Sequence, residues 1–230
     1  MTDGILLALI VIPCLVIAIV FHEVAHGLVA NMLGDPTAKM RGRLTFNPIK
    51  HVDPIGTLVV PGALWLMGGP IFGWAKPVPV MKNRLNNPRY GMMAVAAAGP
   101  GMNLLLALVG AVLLGLMAPG ISVENFSEPG VLVEGLFYFI LINLFLAIFN
   151  LLPIPPFDGG HIVEGLLPPS LSRHWGKLQQ YGMFLLIALI AASWAFPQWN
   201  IIGNTIGPPV EWMLERYLGI AQAISGSGAS

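Results

Sequence analysis

The stretch "FHEVAHGLVA", residues 21–30, follows an apolar run without charged residues that begins at Gly4. A transmembrane helix needs about 20 mostly apolar residues, and this run, continued by the quoted stretch, provides them. His22, Glu23 and His26 therefore lie toward one end of a helix that we predict to cross a membrane. Ionisable side chains at membrane depth are costly and usually mark a functional site.

The composition of the whole chain indicates that lipid is its solvent. Of the 230 residues, 56% are hydrophobic and only 10% are charged, compared with about 25% charged residues in ordinary soluble domains. The formal net charge is zero, and we therefore expect no nucleic-acid partner. The single cysteine cannot form an intrachain disulfide.

Several stretches are long and apolar enough to be transmembrane helices. The charge-free stretches are residues 4–21, 90–123, 135–157 and 178–196. A further stretch, 54–75, is rich in glycine and proline, and the last one, 201–223, carries three charged residues. The last stretch is either an interfacial amphipathic helix or a weak final span. We predict an all-α polytopic membrane protein, with one integral-membrane domain over residues 1–223 and a flexible tail over residues 224–230.

The basic residues between the apolar stretches predict how the chain is oriented, because positively charged loops lie on the cytoplasmic side of a membrane. Basic residues follow both the first span and the segment 54–75, whereas the connection 119–134 contains three glutamates and no basic residue. We therefore predict that 54–75 is re-entrant or lies laterally in the membrane. The first span and 135–157 then run from outside to inside, and 90–118 runs from inside to outside.

The spacing of the ionisable residues in the first helix is that of a metal site. Residues four apart lie on one face of a helix, so His22 and His26 can bind one ion. Glu23 points about 100° round the helix, toward a water on that ion rather than the ion itself. In this HExxH arrangement the glutamate is the general base of metal-assisted hydrolysis, and zinc is the expected metal. The alternative is a pair of buried histidines hydrogen-bonded to helix neighbours.

A catalytic zinc ion usually has three protein ligands, and Asp158 is the best candidate for the third. The other histidines and carboxylates lie in basic loops, past a glycine pair, at the wrong helix end or on the opposite side of the membrane. Asp158 lies in "NLLPIPPFDGGH" (150–161), at the cytoplasmic level predicted for His22 and His26. The prolines and glycines end and unwind the helix, which turns the carboxylate sideways. The alternative is an ordinary aspartate in a turn.

At these motifs the chain resembles the site-2 protease family, the intramembrane zinc metalloproteases. "FHEVAHGLVA" is similar to the zinc-binding motif of that family, and "NLLPIPPFDGG" is similar to its second motif, whose aspartate supplies the third ligand. "AGPGMNLLLA" (98–107) resembles the family's glycine-proline-asparagine helix start. "GGPIFGWAKPVPV" (68–80) resembles the segment that holds the substrate in extended form.

The resemblance implies a zinc metalloendopeptidase that cleaves peptide bonds in or near a transmembrane helix of another protein. It implies one Zn2+ per chain, held by His22, His26 and Asp158, with Glu23 as the catalytic base. The catalytic core would consist of the first span, 90–118 and 135–157, followed by C-terminal helices. We expect a small bacterial- or archaeal-type branch in the cell membrane, with the site toward the cytoplasm, and with the lipid bilayer and a transmembrane protein substrate as partners.

Four further polar residues are candidates for supporting roles. Asn150 could donate to an oxyanion or stabilise a helix end, and both roles stay open. Asn103 and Asn143 are typical of hydrogen bonds between membrane helices. His161 either orients a ligand or faces the interface.

Two other classes of function are compatible with a metal site in a membrane. One is a non-catalytic metal-binding scaffold, and the other is a metal-ion transporter. A transporter needs ligands along a path through several spans, and the sequence has one such cluster. Nothing in the pattern specifies an oligomeric state.

Overall fold

The computed structural model describes residues 2–68, 73–117 and 130–226. Nine α-helices lie in these ranges, and none of their residues forms a β-strand. In chain order they are α1 (Thr2–Met32), α2 (Thr37–Met40), α3 (Val60–Leu66), α4 (Pro88–Met117), α5 (Val131–Asn150), α6 (Asp158–Leu166), α7 (Pro169–Gln179), α8 (Gly182–Ala195) and α9 (Ile201–Ser225). Shorter helical turns cover Pro48–His51, Pro54–Val59, Lys82–Arg84 and Pro197–Trp199.

Three of the described helices, α1, α4 and α5, are long and apolar enough to cross a membrane. Their outer faces carry large apolar side chains that no other described residue covers, such as Leu9, which is 68% exposed, and Leu105, which is 52% exposed. Soluble monomers rarely expose extended apolar surface of this kind. The predicted all-α polytopic membrane fold is confirmed, and its three spans are those expected for the core.

The spans pack against one another, and α9 completes the bundle. Helices α4, α5 and α9 share a core made largely of small and branched side chains, which are Ala107, Ala111, Leu114, Ile140, Leu144, Ile206, Val210 and Ala221. A Cβ at Gly115 would lie 2.5 Å from the carbonyl oxygen of Ala221, so α4 and α9 touch backbone to backbone there. Residues 201–223 therefore form one continuous helix that packs inside the bundle.

Two predicted spans have different bounds in the structure. The span 178–196 is wrong as one helix, because α7 ends at Gln179 and meets α8 at a bend of 64°. Helix α8 has 14 residues, which is about 21 Å of helix against the roughly 30 Å of a hydrocarbon core. The span 135–157 ends at Asn150 instead, since the prolines that follow cannot continue a helix.

The Gly/Pro-rich segment 54–75 contains a short helix that starts at Pro54 and continues as α3. The side chain of Asp53 caps its first turn by accepting hydrogen bonds from the N–H groups of Ile55, at 3.0 Å, and Gly56, at 2.7 Å. The helix has 13 residues, about 20 Å, and is too short to cross a bilayer on its own. Residues 69–72 lie outside the described chain.

Residues 73–81, here called the extended segment, have no helical structure and run alongside the loop after α1. Prolines at 77 and 79 fix their own backbone and bias the residue before each of them to extended conformations. The N–H of Lys76 donates to the carbonyl oxygen of His51 at 2.9 Å, and Arg43 donates to the carbonyl oxygen of Lys76 at 2.7 Å. These contacts tie the extended segment to the 43–51 loop.

Candidate metal centre

Three side chains from distant parts of the chain bring their donor atoms together. His22 and His26 lie one turn apart on α1, and Asp158 is the first residue of α6. The two Nε2 atoms are 3.0 Å apart, and they lie 3.2 and 3.3 Å from Oδ2 of Asp158. A tetrahedral zinc ion with ligand distances of about 2.0–2.1 Å separates its ligand atoms by about 3.3 Å. The donor set therefore has the size of a zinc site.

The hydrogen bonds of the other ring nitrogens fix the protons of both imidazoles. Nδ1 of His26 lies 2.7 Å from the carbonyl oxygen of Val95, which can only accept, so this Nδ1 carries a proton. Nδ1 of His22 lies 2.6 Å from Oδ1 of Asn103 and carries a proton for the same reason. A neutral imidazole has one N–H, so both Nε2 atoms present lone pairs.

The orientation of the Asn103 amide is itself fixed by its neighbours. Its Nδ2 donates to the carbonyl oxygen of Ala18 at 3.2 Å and to Oδ1 of Asn143 at 2.9 Å. The Nδ2 of Asn143 donates in turn to the carbonyl oxygen of Phe139 at 2.8 Å. Because each nitrogen faces an acceptor, Oδ1 of Asn103 is the atom that faces His22. Helices α1, α4 and α5 thus share one buried chain of hydrogen bonds that ends at the metal centre.

The chemistry of the donor set fits a cation. Oδ2 of Asp158 is buried and has no hydrogen-bond partner among the residues that the structure describes. It faces two nitrogen lone pairs, and three acceptors at this spacing repel one another unless positive charge lies between them. Imidazole nitrogens and a carboxylate oxygen are common ligands of zinc in proteins.

Helix α4 approaches the imidazoles closely because it carries glycine at the point of contact. A Cβ on Gly99 would lie 2.4 Å from Nε2 of His26 and 2.6 Å from Cε1 of His22, which is inside van der Waals contact. Any larger residue at this position would displace the rings. The glycine in "AGPGMNLLLA" is therefore part of the wall of the metal centre.

Glu23 hydrogen-bonds to the extended segment. Its Oε2 accepts the N–H of Val78 at 2.7 Å, and its carboxylate is partly buried. This contact brings the backbone of the extended segment to the residue that follows His22. The second carboxylate oxygen, Oε1, has no part in that hydrogen bond.

The other predicted site residues have contacts elsewhere. Asn150 donates through Nδ2 to the carbonyl oxygen of Leu146 at 2.9 Å, within α5, and none of its described hydrogen bonds reaches the donor set. This contact is the kind expected for the helix-end role, and the oxyanion role stays a prediction. His161 lies 3.0 Å from Nε2 of Gln179 and 3.5 Å from Glu164 rather than orienting a ligand.

Two features of the centre were not predicted. Asp158 was expected at an unwound end of the 135–157 span, but it begins the new helix α6, and Gly159 and Gly160 lie inside that helix. Asn103 was predicted to hydrogen-bond between helices, and its contacts with Ala18, His22 and Asn143 all do so, but its contact with a predicted ligand was not predicted. This contact could have been predicted from the position of Asn103, which is a polar residue in a charge-free span at the membrane depth expected for the histidines.

Comparisons with known proteins identify relatives for this arrangement. The sequence profile of Peptidase family M50 matches residues 120–192. The chain is 42% identical over 176 residues to "Putative zinc metalloprotease YwhC" of Bacillus subtilis, an alignment that covers 76% of this chain and 77% of that protein. No solved structure matches the chain.

More distant relatives carry names of the same form. Rip2 of Mycolicibacterium smegmatis is 29% identical over 193 residues, which cover 83% of this chain and 70% of that protein. MJ0611 of Methanocaldococcus jannaschii is 32% identical over 148 residues, which cover 63% and 64% of the two chains. The resemblance seen in the motifs thus extends over most of the sequence, and the chain belongs to Peptidase family M50, the site-2 proteases.

Proposed function

We propose that the protein is an intramembrane zinc metalloprotease whose ion is held by His22, His26 and Asp158 and whose general base is Glu23. The observation that carries the proposal is the convergence of two Nε2 lone pairs and an unpartnered carboxylate oxygen within 4.8 Å of one another. The peptidase activity follows from the family, and the assignment of roles to residues follows from this geometry.

The chain supplies a proton carrier beside the donor set. Bound zinc supplies Lewis acidity, which activates water and polarises the peptide carbonyl. Glu23 takes a proton from the attacking water and passes it to the leaving amine nitrogen. Because Oε2 holds the N–H of Val78, Oε1 is the oxygen that carries the proton.

The extended segment suits a substrate that is itself extended. A peptide bond inside a helix is shielded by the helix backbone, so cleavage requires the substrate to unwind, and an unwound peptide can pair with exposed backbone. The N–H groups of Lys76 and Val78 are already engaged, and Pro77 and Pro79 have none. The carbonyl oxygen of Lys76 already accepts from Arg43. From Pro77 to Pro79 the segment therefore offers carbonyl acceptors, to which the N–H groups of the substrate donate.

The membrane spans support a proposal for the substrate class and the location. A site that lies between transmembrane helices is reached by a transmembrane segment of another protein. We infer that the protein lies in the cell membrane with the centre toward the cytoplasm, because the basic loops after α1 and after the extended segment adjoin it. In the described part of the chain one group of three metal-binding side chains converges, which suits a hydrolase rather than an ion path through the membrane.

The exchange Glu23→Gln tests the assignment, because it removes the base and keeps the side-chain size. We expect zinc content equal to that of the native protein, and cleavage of a coexpressed, tagged single-span membrane protein lower by about 10²–10⁴-fold. Elemental analysis in detergent and immunoblotting of the reporter measure the two effects. The matched control Glu134→Gln changes a glutamate in the first turn of α5 and should leave both unchanged. Full cleavage by Glu23→Gln would contradict the role of Glu23, and a native protein without zinc after metal-replete expression would contradict the zinc centre and favour a non-catalytic role.

A further inference from the structure

Asp35 is a buried carboxylate close after α1 that the metal centre does not use. It is 0% exposed and lies in the turn between α1 and α2. Burying a carboxylate is costly unless hydrogen bonds replace the lost water. Oδ1 accepts the N–H of Thr37 at 3.0 Å and also accepts the Thr37 hydroxyl, while Oδ2 accepts the N–H of Met81 at 2.6 Å. One oxygen thus serves the turn, and the other reaches the end of the extended segment.

The Asp35 side chain is held in its charged form. Burial raises the pKa of Asp35, but the hydrogen bonds from the Thr37 hydroxyl and from the N–H groups of Met81 and Thr37 lower it more, and the pKa lies below its ordinary value. The guanidinium of Arg84 acts in the same direction. A hydrogen bond to an ionised acceptor is about twice as strong as a neutral one.

Two carboxylates therefore hold the extended segment from the same side. Glu23 accepts the N–H of Val78 at 2.7 Å, and Asp35 accepts the N–H of Met81 at 2.6 Å. The acceptors belong to α1 and to the turn that follows it, so both are fixed relative to the HExxH motif. The three-residue interval from Val78 to Met81 lacks secondary structure of its own. These two hydrogen bonds hold its backbone at α1, together with the packing of Val80 against Ala30, Leu85 and Val95.

We propose that Asp35 is a positioning residue for the peptidase, which fixes the extended segment through the N–H of Met81 so that Val78 lies against Glu23. The inference rests on the proposed function of Glu23 and of the extended segment. None of the described hydrogen bonds of Asp35 reaches the donor set. It sets the height at which an extended substrate lies beside the catalytic base.

The pair Asp35→Ala and Thr37→Val separates this role from stabilisation of the turn. Asp35→Ala removes all three hydrogen bonds of the carboxylate, whereas Thr37→Val removes the one from the hydroxyl and keeps those from the N–H groups of Thr37 and Met81. For Asp35→Ala we expect hydrogen exchange at Val78–Met81 to accelerate about tenfold or more, the value of one charged hydrogen bond. Zinc content should stay native. The KM for the membrane reporter should rise about tenfold and kcat should stay within about threefold, since uniform substrate binding is lost. Thr37→Val should be native in all four quantities.

Each contrary result overturns the proposal. Equal acceleration of exchange in Thr37→Val would mean that Asp35 only stabilises the turn, and native exchange in Asp35→Ala would mean that Met81 is held by other contacts. A fall in kcat at native KM would move Asp35 into the chemistry. Asp35→Asn, which keeps the size and one acceptor oxygen, should show an intermediate effect and replaces the alanine variant if that variant fails to fold. Hydrogen exchange can be measured without activity. If the native protein were inactive, the proposed function would be contradicted, and exchange would still test whether Asp35 holds the N–H of Met81.

Discussion

Two groups of ionisable side chains meet at α6 and differ in how their charges are balanced. In the metal centre, Asp158 faces the lone pairs of His22 and His26, and its Oδ2 has no hydrogen-bond partner in the described chain. The second group, here called the Glu164 cluster, consists of Lys82, His161, Glu164 and Gln179. The metal centre consists of hydrogen-bond acceptors that face one another, whereas in the Glu164 cluster each carboxylate oxygen has a hydrogen-bond donor.

The Glu164 cluster is complete as it stands. Nζ of Lys82 lies 2.6 Å from Oε1 of Glu164, and Nε2 of Gln179 donates to Oε2 at 3.0 Å. A buried carboxylate with a cation and an amide on its two oxygens is satisfied by protein alone. The cluster joins the residue after the extended segment to α6 and α7, which is a structural task.

The contrast shows which buried charges indicate a metal. Both groups contain a histidine and a carboxylate close together, so residue types alone do not separate them. What separates them is whether the hydrogen-bond donors present suffice for the acceptors. The metal centre lacks positive charge and the Glu164 cluster does not.

The largest expected effect comes from removing the carboxylate of the metal centre. Asp158→Ala deletes a proposed ligand, and zinc affinity should fall by more than the roughly 10–100-fold that is typical of losing a supporting residue. Cleavage of the reporter should fall to background. Elemental analysis and competition with a chelator measure the affinity. The matched variant Glu164→Ala should keep its zinc, and the reverse outcome would move the third ligand into the Glu164 cluster.

The parts that were predicted from sequence depend on local geometry and on charge distribution. His22 and His26 share a face because any helix stacks residues four apart. The choice of Asp158 depended on the basic and acidic loops, which set the direction of each span and hence the level of each motif. Neither step requires knowledge of how helices pack.

The parts that were not predicted depend on helix ends and on packing. The bend between α7 and α8 was not predicted because residues 178–196 contain no charged residue, although Gln179 and Gln180 lie where the two helices meet. The contact between Asn103 and His22 requires a particular rotation of α4 about its axis, which the fit of Gly99 against the imidazoles sets. A stretch that is apolar on all sides contains no information about that rotation.

A smaller effect is expected from Asn103→Leu, which tests the fixed tautomer that distinguishes the metal centre. The variant removes the acceptor of the His22 Nδ1–H, and the ring is no longer held with Nε2 toward the ion. We expect zinc affinity to fall by about 10–100-fold, measured by chelator competition, while the helical content stays native.

Asn150→Leu is the control for this exchange, because its amide donates to Leu146 within α5. Its zinc affinity should be native. A fall in kcat of about 10²–10³-fold in this control, at native zinc content, would restore Asn150 as an oxyanion donor. Native zinc affinity in Asn103→Leu would show that packing alone orients His22.

The smallest effect is expected from the charge of Glu164, and it appears as pH dependence of stability. Burial raises the pKa of Glu164, but the hydrogen bond and charge of Lys82, together with His161, lower it more, so that it lies below its ordinary value of 4.5. A carboxyl with a lowered folded-state pKa stabilises the fold above the unfolded pKa, and this contribution is lost as the pH falls through the folded value. Glu164→Gln should therefore be about 1 kcal/mol less stable near neutral pH and should lose less stability on acidification.

Unfolding of the detergent-solubilised protein is best measured in the Asp158→Ala background, since proton-linked release of zinc would otherwise act in the same pH range. The matched variant Lys82→Met should show a similar loss, reduced by the solvent that screens its partly exposed side chain. If Glu164→Gln kept the acid sensitivity of its parent, the carboxylate would not be balanced within its own cluster. The proposed difference between the Glu164 cluster, whose charges are balanced within the protein, and the metal centre, which requires a cation, would then be wrong for the Glu164 cluster.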